Sequence, residues 1–150
     1  MLKYLCNVLN IVTEFLYELI YKDNRFYYLS LLKNEKNGSF SIHGLWPQTD
    51  VNNYPSYCKK VNFSLDELQP IINNLNTYWY STEEKNSGFW EHEYEKHGSC
   101  MFKNMSEYDY FNTALKLYYN VIKLNLAKKY YNPTTKKCLI PITLDFQIKK

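Results

Sequence analysis

"SFSIHGLWPQTD", residues 39–50, alternates as a strand does, with Phe40 and Ile42 on one side, and then runs at once into His43, Gly44, Leu45, Trp46 and Pro47. A half-buried strand ending in a satisfied histidine and a turn is the ordinary meaning of such a stretch. Its interest depends on whether a second segment supplies a partner for His43. One does. "FWEHEYEKHGSC", residues 89–100, carries the only other histidines of the chain, His92 and His97. On a helix advancing about 100° per residue, His92, Glu93, Lys96 and His97 share one face, while Glu91, Tyr94 and Glu95 point elsewhere. Two imidazoles, an ammonium and a carboxylate would converge there. A solvated face laced with i,i+4 charge pairs accounts for the charges alone, but not for the third histidine in its own compact motif.

Around these segments the chain reads as a mixed, single domain over residues 1–150. "RFYYLSLL" (25–32) reads as a strand, "KNEKNG" as a turn, and 39–45 as a second strand, followed by a loop over 46–63. Ser64-Leu-Asp-Glu67 reads as a capping box opening a helix to about Tyr78, bent or shortened by Pro70. Ser106-Glu-Tyr-Asp109 caps another, with Tyr108, Phe111, Leu115, Tyr118, Ile122 and Leu126 on its inner face. Ile140, Ile142, Leu144, Phe146 and Ile148 alternate as a last strand, with Pro141 marking an edge or bulge. Leu2, Leu5, Leu9, Val12, Leu16 and Leu19 form an amphipathic stripe, so residues 2–22 are expected to be a packed helix rather than a signal sequence. Nothing is long and apolar enough to span a membrane. The class is α+β, with no boundary inside it.

Composition narrows the possibilities without deciding among them. With 45% hydrophobic and 22% charged residues the chain suits a soluble globular domain. A net charge of +3 is compatible with a polyanionic partner, but a small excess is no clustered patch. Arg25 is the only arginine, so bidentate phosphate forks are scarce. Cys6, Cys58, Cys100 and Cys138 include no Cys-x-x-Cys pair, which favours disulfides over a zinc cage. A helical zinc site also fails on spacing, since His92-Glu93-x-x-Lys96 offers Lys where a second ligand is needed. Sequons at Asn37, Asn62 and Asn104 fit a secreted chain, or chance in a sequence rich in Asn.

"SIHGLWP" and "FWEHEYEKHGSC" resemble the two active-site segments of the ribonuclease T2 family, in the family's order and at a plausible interval. "YWYS" (78–81) is similar to its Trp-Pro-Ser segment with Tyr80 in place of Pro, and the likeness is strongest over 39–126. It implies an antiparallel sheet backed by helices and a metal-independent, cofactor-free endoribonuclease acting on single-stranded RNA. In that chemistry a 2′-OH attacks its neighbouring phosphate, a base removes its proton, and an acid protonates the leaving 5′-oxygen. Two imidazoles suit the task because their ordinary pKa lets one be neutral and the other charged at acidic to neutral pH. The resemblance implies His97 as base and His43 as acid, with Lys96, Glu93 and His92 around the phosphate. Glu93 is odd beside an anion unless it is protonated or orients a neighbour. DNA lacks the 2′-OH and would not react.

The same likeness implies that Trp46, Tyr54 and Phe89 line base sites, where rings stack on bases with little sequence demand. For Trp46 core packing is an equal alternative, and Trp90 reads as core. The resemblance also implies a Cys58–Cys100 disulfide, and with it a secretory, extracellular or vacuole-like compartment; Cys6 and Cys138 have no family partner. Gln48 stands where many relatives carry Asp, and "SLLKNEKNG" replaces the family's Leu-Gln-Trp-Pro, so base preference does not carry over. A monomer is expected. Two other classes stand beside the enzyme: a catalytically idle binding or storage relative, and a non-enzymatic RNA-binding module.

Overall fold

The structure is a computed structural model and describes residues 23–149. The helix expected over 2–22 lies outside these residues, as does Cys6. Within them, β1 (Phe26–Lys33), β2 (Phe40–Gln48), β3 (Tyr131–Asn132) and β4 (Lys137–Ile142) form one antiparallel sheet in the order β2-β1-β4-β3. Helices α1 (Ile72–Tyr78), α2 (Asn86–Lys96) and α3 (Glu107–Lys123) complete the α+β architecture. No helix among the described residues is long and apolar enough to cross a membrane.

The sheet's two faces follow from the alternation of strand side chains. Leu29 and Leu31 on β1 pair with Leu45 and Ile42 on β2 and with Ile140 and Cys138 on β4, and all six are fully buried. The opposite face carries Tyr28, Ser30 and Leu32 with Trp46, Gly44 and Ser41 beside them. Ile42 and Leu45 are three residues apart, and strict alternation would send them to opposite faces. They share one because the β1–β2 register slips between Ser30 and Leu31: Ser30 pairs with Gly44, Leu31 with Ile42, and His43 has no partner. His43 is therefore the extra residue of a β-bulge, a device that re-aims a side chain. The strand also runs on past His43, through Trp46 and Pro47 to Gln48, where a loop was expected. An edge strand tolerates Pro47 because no ladder needs its missing N–H on the open side.

As the edge of the sheet among the described residues, β2 has carbonyls that no strand satisfies. Three are met by side chains: Tyr118 Oη donates to Phe40 O (2.8 Å), Trp79 Nε1 to His43 O (3.0 Å) and Tyr110 Oη to Leu45 O (3.1 Å). Trp90 Nε1 donates in turn to Trp79 O at 2.6 Å. This binds α2, the residue after α1 and the bulge into one chain of contacts within the core.

Three elements differ from the expectation. Residues Leu65–Ile71 form a 3-10 helix before α1, and the Ser64 hydroxyl makes no cap bond. Pro70 removes a donor and crowds the preceding turn, favouring the tighter winding. Glu107 at the start of α3 takes the Ser64 N–H at 3.0 Å, the bond a capping-box Glu67 would otherwise accept. The inner face of α3 is rotated: Phe111, Leu115 and Tyr118 are buried as expected, with Tyr110, Ala114, Leu117 and Val121 beside them, while Tyr108 is half-buried and Ile122 is exposed. Its Ser106 cap forms, accepting from Asp109 N at 3.0 Å. The last strand stops at Ile142, where Thr143–Gln147 turns the chain back so that Ile148 bridges Ile142, and Phe146 leaves the alternation to stack on Tyr27 at 5.2 Å.

Trp79→Phe keeps most of the packing but orphans the bulge carbonyl. Urea unfolding is expected to show a loss of about 1–3 kcal/mol, the cost of an unsatisfied buried acceptor. A change below the error of the measurement would show that the indole does not hold His43.

Candidate active site

The bulge turns His43 and Trp46 toward a cleft of about 960 Å³ that also receives His92, Glu93, Lys96 and His97 from α2. The expected one-faced cluster on the helix is thus present, with His97 one residue beyond α2 at its C-cap. The 3-10 turn Gly98–Cys100 follows at once. Tyr54 and Phe89 line the same cleft, so every residue singled out for catalysis or base contact meets here. Trp46 serves the cleft rather than the core, and Trp90 is core, 2% exposed.

The rings are close. His43 lies 5.0 Å from Trp46 and 5.7 Å from Phe89, and Trp46 stacks on His97 at 5.2 Å, between centroids. Tyr54 stands 5.9 Å from His97, and Tyr57 6.5 Å from the exposed His92. Gly44 makes the assembly possible. A Cβ there would overlap Glu93 Oε2 and Trp46 Nε1, so only glycine lets the α2 carboxyl and the indole meet over the strand. Trp46 Nε1 donates to Glu93 Oε2 at 2.8 Å, and Glu93 Oε1 lies 3.7 Å from His43 Nε2, a contact longer than a hydrogen bond.

Burial dominates the electrostatics. It raises the Glu93 carboxyl from 4.5 to about 7, although the Trp46 hydrogen bond and the charges of Lys96 and Lys137 pull the other way. It lowers His43 from 6.5 to about 4, aided by the positive charges of Lys137, Lys96 and His92. It lowers His97 to about 3, aided by Lys96, His43 and His92. At mildly acidic pH the free site therefore holds two neutral imidazoles and a protonated Glu93 beneath the cations Lys96 and Lys137. A protonated Glu93 carries no charge that would repel an anion in the cleft. Among the described residues no three His, Cys, Asp or Glu side chains gather as a metal centre would require.

The loop after β2 is fixed to the end of α2. Cys58 and Cys100 form a disulfide, Tyr57 N donates to Lys96 O at 2.9 Å, and Cys58 N to Ser99 Oγ at 3.1 Å. With its cysteines 42 positions apart in sequence, the disulfide contributes about 4 kcal/mol in the chain-entropy treatment. Among the described residues Cys138 is a buried free thiol. Two residues of consequence escaped the sequence reading. Trp79 was noted only for its segment's likeness, not as the clamp on His43. Lys137 lines the cleft from β4, and its parity opposite Cys138, Ile140 and Ile142 was the available signal.

Comparison with known proteins gives one family. The sequence model of the Ribonuclease T2 family matches residues 13–139. Ribonuclease DdI of Dictyostelium discoideum is 38% identical over 89 residues, 58% of this chain and 40% of that protein. Ribonuclease 1 of Arabidopsis thaliana is 35% identical over 82 residues, 52% of this chain and 36% of that protein. The chain thus spans less than half the length of these relatives. Ribonuclease MC1 from bitter gourd seeds superposes with a TM-score of 0.64 at 22% identity, covering 81% of this chain and 90% of that one. That likeness supports the fold.

The raised carboxyl and lowered imidazoles give stability opposite dependences on pH. The Glu93 contribution is intact below its unfolded value of 4.5 and is lost as pH rises through about 7. The histidine contributions are intact above 6.5 and are lost as pH falls through about 4 and 3. Glu93→Gln keeps an acceptor for Trp46 and carries no charge. It is expected to stabilise the protein by about 2–3 kcal/mol at pH 8 and to change little at pH 4. Equal effects at both pH values, by urea unfolding, would contradict a buried neutral carboxyl.

Proposed function

The chain belongs to the ribonuclease T2 family, and from that membership and the meeting of His43 with His97 we propose that it cleaves single-stranded RNA by transesterification. His97 removes the proton of the 2′-OH, and His43 protonates the departing 5′-oxygen, leaving a 2′,3′-cyclic phosphate. The roles exchange when water opens that ring. The observation that carries this reading is that a half-buried imidazole from the strand bulge and a buried one from the helix end both pack against the Trp46 ring. Lys96 offsets the charge of the crowded phosphorane, and protonated Glu93 donates to one of its oxygens. His92, exposed at the cleft mouth, contacts the phosphate from solvent. Neither metal nor cofactor takes part, DNA is not cut, and the protein acts as a monomer.

Trp46, Tyr54 and Phe89 offer π-faces to the two bases flanking the cleaved bond. Stacking of this kind tolerates any base, and Gln48 is buried at 4% exposure, so base preference is broad. The disulfide suits an oxidising compartment, in the secretory pathway, outside the cell or in a vacuole-like organelle. An idle storage role has one point in its favour: the ribonuclease-like storage protein of Panax ginseng is 33% identical over 79 residues. The intact pair His43 and His97 favours the enzyme.

His43→Ala and His97→Ala are each expected to lower activity about 10²–10⁴-fold without unfolding the chain. EDTA should leave cleavage unchanged, and the first products should carry cyclic ends; a rate abolished by EDTA and restored by zinc would overturn the mechanism. The pH profile is more acidic than ordinary imidazole values would give. In the free protein His97 is a base above about 3 and His43 an acid below about 4, so kcat/KM should peak in acid. A bound phosphate favours both imidazolium forms, so the kcat maximum should lie at higher pH. A kcat/KM that climbs steadily to neutral pH would reverse this assignment.

A further inference from the structure

We propose that Lys137 is a second cationic contact to the reacting phosphate, acting from the sheet opposite Lys96 on α2; the proposal rests on the ribonuclease reading above. Lys137 pairs with Leu32, and Leu32 with Ser41, so these three share the sheet face onto which the His43 bulge opens. The two strand spacings from Lys137 to β2, about 10 Å, are bridged by its side chain together with that of Trp46. Its ammonium stands 5.8 Å from the centroid of the Trp46 ring, the ring that lies 5.0 Å from His43 and 5.2 Å from His97. Lys137 therefore ends beside the ring that both imidazoles pack against, half-buried, within the cleft that holds Lys96, Glu93 and His92. No carboxylate among the described residues lies within ion-pairing distance of it, and it donates no hydrogen bond to them. A packed cation without an anion is a group awaiting one.

The fold holds it there. The turn before β4 is tied by Asn132 Oδ1, which accepts from Thr134 N at 2.9 Å and Thr135 N at 3.3 Å, and Lys136 completes it with φ of 56°. That left-handed backbone is costly for lysine and ends the turn so that residue 137 enters the sheet on the cleft face. The charge is felt at the site. Of the charged groups lowering His43, Lys137 comes before Lys96 and His92, and it lowers Glu93 as well.

Lys137→Met keeps the aliphatic stem over Trp46 and removes the charge; Lys137→Arg keeps both. We expect Lys137→Met to lower kcat about 10–100-fold on RNA and also on 2′,3′-cyclic nucleotides, which contain no phosphate but the reacting one. Lys137→Arg should recover most of it. The His43 ring, followed by NMR in the free protein among Glu93, Lys96, His92 and His97, should titrate at higher pH in Lys137→Met than in wild type. Loss on RNA with full activity on cyclic nucleotides would place the ammonium on a flanking phosphate and overturn the proposal, as would unchanged rates on both. Affinity for a 3′-nucleotide monophosphate separates the two readings. If the wild type cleaves nothing, weaker binding by Lys137→Met sustains this contact while the ribonuclease reading falls, and equal binding removes both.

Discussion

The hydrogen bond from the Trp79 indole to the carbonyl of His43 is the constraint on which the rest of the site depends. A bulge in an edge strand leaves one residue outside the ladder, free to choose its own orientation and burdened with unpaired backbone groups. Trp79 removes the burden by supplying a donor inside the core. Trp90 fixes Trp79 by the same means, so the helix that carries His92, Glu93 and Lys96, with His97 at its cap, also sets the strand residue facing them. His43 and His97 then come from different elements but share one packed scaffold. Their separation is a property of the core rather than of two surface loops.

The electrostatic design follows from that packing. Glu93 is 2% exposed and His97 4% exposed, and burial on this scale opposes every charged form. Two neutral imidazoles and a protonated carboxyl result, beneath two ammonium groups. Such a site is better suited to an anion than to empty solvent, because an incoming negative charge favours a protonated ring. Gly44 is the steric counterpart. By carrying no side chain it lets Glu93 approach the strand closely enough to be desolvated and to meet Trp46 at once.

The contents of the site were legible in the sequence to an unusual degree, and its geometry much less so. Helical spacing alone placed His92, Glu93, Lys96 and His97 on one side of α2, since that periodicity is local. The disulfide between Cys58 and Cys100 came from family likeness, and only the structure shows the loop it fixes. His43 read as a strand end because nothing local signals that Ser30 will pair with Gly44 and Leu31 with Ile42. A bulge is decided by the partner strand. Lys137 stayed hidden for the same reason: its face is set by pairing with β1, about 100 residues earlier. The rotation of α3 and the 3-10 turn around Pro70 are likewise tertiary outcomes, in which Tyr110, Tyr118 and Glu107 satisfy backbone groups far away in sequence.

The three side-chain donors along β2 have a consequence for self-association. An exposed strand edge normally recruits another chain through its free carbonyls and amides, the first step toward strand addition and fibrils. Here the acceptors of Phe40, His43 and Leu45 are occupied by Tyr118, Trp79 and Tyr110, so an arriving strand would find its donors unmatched at three places. The aromatic residues that shape the site also make the sheet a poor template. The cleft can stay open to solvent while the strand at its wall stays closed to its own kind.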